Sequence, residues 1–162
     1  METTSLSSVT PNPNLVAIWE AHQAAEFITH DVKAALATMT EDAYVNLVPL
    51  STIASGKAEI ENFYANYFIG KLPPDTQGEL ISRTVGENQI VDEQSFSFTH
   101  SQDIFVLPNI PITHKKVEML IVIVVGFRDG KIAYERLYWD RASLLEQVGW
   151  LSKSYIPAFE LK

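Results

Sequence analysis

The sequence predicts an α+β fold, in which helices cover one face of a largely antiparallel sheet. Apolar residues recur at helical spacing as far as Phe68 and then change to strand spacing. Near the end of the chain, Val117–Phe127 and Lys131–Trp139 flank Asp129-Gly130, a dipeptide typical of tight β-hairpin turns. Helices that precede the strands, rather than alternate with them, favour α+β over α/β architecture.

Three helices are predicted in the first half of the chain. The first has Asn14 as its cap and runs to about His30, the second runs from Asp31 to Met39, and the third begins at Ser55. The third helix carries apolar side chains at i, i+3, i+4, i+7 and i+8, which are Ile60, Phe63, Tyr64, Tyr67 and Phe68.

Strands dominate the second half, and a single strand precedes the third helix. Dense β-branched and aromatic residues predict strands at Ala43–Val48, Leu80–Val85, Gln89–His100, Val117–Phe127 and Lys131–Trp139. Two prolines make Asp103–Pro111 a loop. Asp140 then lies where an N-cap belongs, before apolar residues at helical spacing up to Leu151.

Length and charge narrow the protein class. The 162 residues suffice for one domain, predicted over residues 15–151, between an extended arm at 1–14 and a tail at 152–162 that packs on the domain or on a partner subunit. The net charge of −8 disfavours nucleic acid and anionic membranes as partners. Cysteine is absent, and no secretory signal or membrane-length apolar run is visible, so we expect a cytoplasmic protein.

Both alternating faces of Val117–Phe127 are largely apolar. The helices can cover only one of these faces. We therefore expect a second copy of the chain to cover the other, which gives a homodimer through the sheet.

Common catalytic and metal-binding motifs are absent from the sequence. The chain contains no G-x-S-x-G, P-loop or G-x-G-x-x-G motif. Its four histidines show no H-x-H or H-E-x-x-H spacing, so we predict neither a metal site nor a cofactor.

Acidic side chains at the final hairpin form the first set of candidate catalytic residues. Glu118 and Glu135 lie on its two strands, and Asp140 follows the second strand. A carboxylate in an apolar cavity has a raised pKa and can act as a general acid or base. Strand alternation places Arg136 and Tyr138 on the face opposite Glu135. Asp140 also suits a plain helix cap, and Arg136 also suits an ion pair with a neighbouring strand.

Other candidate residues lie earlier in the chain. His22 and Glu26 are four residues apart on the first helix, where they can contact each other or simply tether the helix. Asn46 lies within a strand, where Asn is disfavoured, which favours a cavity-lining role. His100 follows a strand and suits either a catalyst or a buried core histidine.

Several of these stretches resemble the SnoaL-like polyketide-cyclase branch of the nuclear-transport-factor-2-like superfamily. The resemblance covers about residues 15–151. It is carried by Arg83–Gly86, Val91–Glu93, Phe98–His100, Leu107-Pro108 and, above all, Gly126–Gly149. It implies a cone-shaped, strongly curved sheet wrapped around N-terminal helices, an enclosed apolar pocket and a dimer.

The resemblance also implies roles for individual residues. It suggests Glu135 and Asp140 as acid/base residues, with His22, Asn46 and His100 lining the cone. Two departures stand out, since similar proteins tend to have His-Glu-His at Tyr134–Arg136 and a histidine at Leu47. We interpret these departures as signs of a specialised paralogue, in which Arg136 holds a carboxylate or an enolate.

These observations predict a cofactor-independent cyclase or isomerase of a small, apolar, oxygenated metabolite of the polyketide or terpenoid-lactone type. Glu135 or Asp140 would transfer the proton, and Arg136, Tyr138 or His100 would steady the developing oxyanion. His22, Asn46 and Glu118 would line the substrate site. Two alternatives stay open, namely a lactone or epoxide hydrolase and a non-catalytic dimeric module that binds a small molecule.

Overall fold

A computed structural model describes residues 13–152 of the protein. Its α-helices are α1 (Pro13–Phe27), α2 (Val32–Ala37), α3 (Gly56–Phe63) and α4 (Arg141–Gln147). Its strands are β1 (Met39–Leu47), β2 (Thr52–Ser55), β3 (Gln77–Val85), β4 (Gln89–Thr99), β5 (Lys116–Arg128) and β6 (Lys131–Trp139). The predicted α+β class is confirmed, whereas most of the predicted arm and tail lie outside the described residues.

The six strands form one curved, unclosed sheet in the order β2-β1-β6-β5-β4-β3. Every neighbouring pair is antiparallel except β1 and β6, which run parallel. Helices α1 to α3 pack against one face and enclose a core that includes Trp19, Ile60, Ile90, Val125 and Ile132. This arrangement is the NTF2-like architecture that the resemblance implies.

The turn and the helix cap at the final hairpin form as the sequence predicts. Asp129 and Gly130 both adopt positive φ, 53° and 71°, as a type I′ turn requires. The Asp140 carboxylate accepts a hydrogen bond from the Ser143 backbone N–H at 3.0 Å and caps α4. The helix ends at Gln147 rather than Leu151, because the chain turns at Gly149, which has a φ of 80°.

Elsewhere the structure departs from the predicted elements. The short strand β2 was not predicted, and Met39 begins β1 instead of ending the second helix. The third helix changes after Phe63 into one π-helical turn, Tyr64–Phe68, in which the Ile69 N–H donates to the Tyr64 carbonyl at 2.8 Å. Such π turns are rare and often occur at functional sites. Here the turn sets the direction of Tyr64, which is almost completely buried.

The two faces of the sheet differ in their surroundings. Ile121, Ile123 and Glu135 point toward the helices and are buried, whereas Leu120 and Tyr138 lie on the opposite face and are 56% and 41% exposed. We call this second face the outer face. None of the helices between residues 13 and 152 has the length and apolarity needed to span a membrane.

Candidate active site

A cluster of polar side chains lies between α1 and the inner face of the sheet. His22 and Glu26 are one turn apart on α1, Glu135 points inward from β6, and Tyr64 comes from the π turn. All four side chains are buried, with exposures of 4% or less. Charged residues are seldom buried unless they are paired, so the contacts within this cluster determine whether the fold tolerates it.

The His22 imidazole lies between the two carboxylates. Its Nε2 atom is 3.0 Å from Glu26 Oε1 and 3.2 Å from Glu135 Oε1. The Tyr64 hydroxyl oxygen lies 3.1 Å from the same nitrogen and donates its own proton to Glu135 Oε1 at 3.0 Å. One imidazole nitrogen therefore faces three oxygen acceptors.

The other imidazole nitrogen establishes the protonation of the ring. The Thr38 hydroxyl donates to the Ala35 carbonyl at 2.7 Å, so its oxygen is free to accept a hydrogen bond from His22 Nδ1, also at 2.7 Å. Nδ1 therefore carries a proton. Since Nε2 faces only acceptors, a proton is needed there as well, and the arrangement fits an imidazolium between two carboxyl groups.

Electrostatics support this assignment. Burial by itself lowers the pKa of His22, but the adjacent Glu26 and Glu135 outweigh it and raise that pKa to about 10. Burial also raises the pKa of Glu26, although His22 opposes the effect. The pKa of Tyr64 lies well above its usual range, chiefly because of burial, so its hydroxyl stays protonated and acts as a donor.

The cluster borders a narrow apolar cavity of about 60 Å³. Glu26, Glu135 and Tyr64 line it together with many aromatic and aliphatic side chains, such as Trp19, Phe63, Phe68, Phe98 and Phe105. No lysine or arginine within residues 13–152 lines this cavity. An apolar cavity with a few convergent ionisable groups is the usual setting for acid–base chemistry.

Trp19 connects the cluster to strands β3 and β4. Its indole ring stacks on His22 with 5.6 Å between ring centroids, and its Nε1–H donates to Asp92 Oδ2 at 2.7 Å. The buried Asp92 also accepts from Arg83 Nε at 2.7 Å. This chain of contacts fixes α1, and with it His22 and Glu26, against β3 and β4.

Three residues of the cluster together have the composition of a metal site. His22, Glu26 and Glu135 offer ligand atoms that lie within 4.8 Å of one another. The Nδ1–H of His22 is held by oxygen acceptors, as is common for metal-bound histidines. A proton shared by the cluster and a divalent cation would use the same atoms. The sequence-based expectation of no metal therefore stays a prediction.

Only two of the predicted site residues lie together beside the cavity, whereas Glu118, Tyr138 and Asp140 line a separate pocket on the outer face. His22 and Glu135 are in contact at the cavity. In contrast, the lining role predicted for Asn46 is wrong, because β1 pairs Asn46 with Arg136 and both residues lie on the outer face. Strand alternation places neighbours of Glu135 on the opposite side of the sheet.

Three further predicted residues also lie outside the cavity. Arg136 donates to the Tyr44 hydroxyl at 2.9 and 2.6 Å and lies over the Tyr134 ring, so it pairs with a neighbouring strand instead of holding a ligand inside the cone. Tyr138 and Glu118 are exposed on the same outer face. The prediction that these residues contact a substrate in the cone is therefore wrong.

Asp140 and His100 have other surroundings. Asp140 is exposed and caps α4, so the alternative of a plain helix cap describes its contacts. His100 is fully buried at the end of β4, where its Nδ1 lies 3.1 Å from Thr113 Oγ1, and it does not line the cavity. Burial lowers the pKa of His100. Neither residue contacts Glu135 within the described part of the chain.

Two candidate functional residues, Glu26 and Tyr64, do not follow from the sequence. The sequence marks Glu26 only as a helical neighbour of His22 and places Tyr64 in an apolar stripe. The spacing of His22 and Glu26 was a usable signal, since their side chains do contact each other. The π turn that directs Tyr64 toward Glu135 has no comparable sequence signal.

Solved structures with the same fold are numerous. TsrD from Streptomyces laurentii superposes with a TM-score of 0.68 at 16% identity, covering 88% of this chain and 99% of TsrD. A protein from Jannaschia sp. CCS1, named for SnoaL-like polyketide cyclases, gives a TM-score of 0.65 at 15% identity, covering 84% and 89%. A hypothetical protein with a ketosteroid isomerase-like fold from Catenulispora acidiphila DSM 44928 gives 0.63 at 14%, covering 84% and 95%.

These structural similarities show the fold and leave the reaction open. A search of curated protein sequences finds no match. The family of SnoaL-like domains matches residues 19–135, which include every member of the buried cluster. The chain therefore belongs to the SnoaL-like domain family.

Proposed function

We propose that the protein is a cofactor-independent cyclase or isomerase that acts by general acid–base catalysis on a small, apolar, oxygenated metabolite in the cytoplasm. The observation that carries this proposal is the His22 imidazole between the buried carboxyl groups of Glu26 and Glu135, beside an apolar cavity. Two carboxyl groups in different surroundings can serve as proton donor and proton acceptor.

The contacts favour a division of roles. Glu135 would take a proton from carbon next to a carbonyl group, and the C–H electron pair would form an enolate. Burial raises the pKa of Glu26, so this residue would return a proton at another position and yield a product of unchanged mass. The Tyr64 hydroxyl and the His22 imidazolium would hold the ionised Glu135 in place.

Native mass spectrometry of the wild type and Glu135→Gln, each incubated with small-molecule extract of the source organism, tests the proposal. We expect the variant to retain a ligand that the wild type releases as a same-mass isomer. Glu87→Gln, in the exposed turn between β3 and β4, is the matched control and should behave like the wild type. If both wild type and Glu135→Gln hold the same unchanged molecule, the protein is a binding module and catalysis is refuted.

Two variations of this experiment separate isomerisation from hydrolysis and from a metal-dependent reaction. In ¹⁸O-labelled water, lactone or epoxide hydrolysis would add one labelled oxygen to the product, whereas isomerisation adds none. Treatment with a chelator before incubation distinguishes a metal-dependent reaction, because the proposed proton transfer should retain its full rate. A labelled product or loss of turnover after chelation would contradict the proposal.

We also propose that the protein is a homodimer in which the outer faces of two sheets pack together. Leu120 and Tyr138 are exposed there, and the neighbouring Val122 and Val124 are only half-buried. A large exposed apolar patch is typical of an interaction surface. Light scattering at micromolar concentration should give twice the monomer mass, and a uniform monomer would refute this assembly.

A further inference from the structure

A surface groove of about 670 Å³ lies directly beside the catalytic cavity. It is bounded by the end of α1, the segment at residues 70–76 and parts of β3 and β4. The groove and the cavity share part of their lining, including Glu26, Phe27, Phe68, Leu72 and Phe96. The two spaces therefore share one wall of side chains.

Three aromatic rings form much of that wall, and we call them the aromatic gate (Phe27, Phe68 and Phe96). The Phe27 ring centroid lies 5.6 Å from that of Phe68, edge to face, and 6.2 Å from that of Phe96. Phe27 is the last residue of α1, is 36% exposed and lines both the cavity and the groove. This one side chain therefore borders both spaces at an exposed position.

The two spaces have different chemistry. Apart from the cluster, the cavity lining is apolar except for Gln23 and Thr76, whereas Glu20, Glu79, Arg83 and His30 line the groove. The Arg83 guanidinium is already paired with Asp92 at 2.7 Å and Glu20 at 3.1 Å. The groove therefore has acidic character and no unpaired arginine to hold an anion, which favours neutral or cationic groups.

We propose that the groove is the second half of the substrate site. It binds the neutral or cationic, hydrogen-bonding tail of an amphipathic substrate, whose apolar head passes the aromatic gate and occupies the cavity. A cavity of about 60 Å³ holds only a small head, since ligand sites usually measure several hundred Å³. Glu26 borders both spaces, which places it where head and tail join.

This inference rests on the proposed function for the cavity as the reaction site, and unreactive probes test it separately. The probes are benzene, 4-phenylbutan-1-ol, 4-phenylbutylamine and 4-phenylbutyrate, titrated in NMR experiments at pH 7. Benzene should shift only signals from the cavity, such as Ile121. The alcohol and the amine should also shift Leu80 in the groove and bind about tenfold more tightly than the carboxylate. Equal affinity for the carboxylate, or no shift at Leu80, would refute the proposal.

Rates of exchange of 4-phenylbutan-1-ol test the aromatic gate. Phe27→Ala should accelerate exchange about tenfold or more, and Ile112→Ala, at a 46% exposed residue that lines neither space, should leave it unchanged. Gly78→Ala should slow exchange, because a Cβ there would lie 2.8 Å from Phe96 Cε1 and press that ring against its neighbours.

A different route would give a different pattern. Phe63 and Phe105 separate the cavity from another surface pocket. If Phe63→Ala accelerates exchange and Phe27→Ala does not, the aromatic gate is not the route and the proposal is wrong. The probes carry no reactive group, so absent catalysis would leave all of these binding results unchanged.

Discussion

His22 Nε2 lies 3.2 Å from Glu135 Oε1, and this contact joins the first helix of the domain to its last strand. Both groups are buried, so each depends on the other for charge compensation. The pair therefore holds α1 on the sheet and lies beside the cavity. Stability and the proposed proton transfer would depend on the same atoms, which makes the protonation state of His22 the first property to measure.

We expect His22 to remain an imidazolium far above the ordinary histidine range. Burial lowers its pKa, but Glu26 and Glu135 raise it to about 10. Nitrogen-15 NMR of labelled imidazoles should show both His22 nitrogens protonated at pH 8. His100 is the internal control, because burial lowers its pKa and it should be neutral at that pH. A neutral His22 signal at pH 8 would contradict the cluster as described.

The raised pKa of His22 also predicts how the free energy of unfolding varies with pH. The folded state holds the His22 proton more tightly than the unfolded chain, so its stabilising contribution is complete below pH 6.5 and is lost as the pH rises through about 10. The raised pKa of Glu26 acts in the same direction and begins at lower pH. The free energy of unfolding should therefore fall by on the order of 4 kcal/mol between pH 6.5 and 10.

Urea unfolding at closely spaced pH values measures this slope. His22→Gln should flatten it, although the variant will be less stable at every pH. If His22→Gln does not fold, the wild-type slope alone decides the matter. A free energy that stays constant or rises over this range would contradict the prediction.

Tyr64→Phe should destabilise the protein and impair the proposed catalysis. The change removes the hydroxyl that donates to Glu135 at 3.0 Å, which costs about 1.5–3 kcal/mol for a hydrogen bond to a charged acceptor. Tyr67→Phe is the matched control in the same π turn, because Tyr67 is 56% exposed. Thermal unfolding compares the two, and equal Tm values would show that the Tyr64 hydroxyl is unimportant.

Structural features that depend on a few adjacent residues can be predicted from the sequence, whereas features that depend on packing between distant elements cannot. The Asp129-Gly130 turn and the Asp140 cap depend on a few adjacent residues, and both were predicted correctly. Strand alternation correctly placed Arg136 and Tyr138 opposite Glu135. The side that faces the helices, however, depends on packing between distant elements, and sequence alone did not assign Arg136 to the outer face.

The cluster itself combines residues that are far apart in the chain. Tyr64 and Glu135 are separated by 71 positions, and Trp19 and Asp92 by 73. Neither pair leaves a periodic signal in the sequence. Only His22 and Glu26, which follow each other by one helical turn, could be recognised as partners.

Asp140→Ala should weaken the fold slightly and leave the reaction intact. Its carboxylate caps α4 through the Ser143 N–H, and loss of such a cap costs about 1 kcal/mol. Asp31→Ala is the matched comparison, since Asp31 caps α2 through the Ala34 N–H at 3.0 Å. Thermal unfolding should show a similar loss for both. A loss of turnover confined to Asp140→Ala would instead restore the catalytic role that the sequence suggested.

Leu120→Asp should convert the proposed dimer to a monomer. Leu120 is 56% exposed on the outer face, and a carboxylate there would be buried without a partner at an apolar interface between two sheets. Ile28→Asp is the control, because Ile28 is more exposed but lies in the turn after α1, where it lines the groove rather than the outer face. Light scattering should give the monomer mass for Leu120→Asp alone. If Leu120→Asp remains a dimer while still folded, the interface lies elsewhere on the molecule.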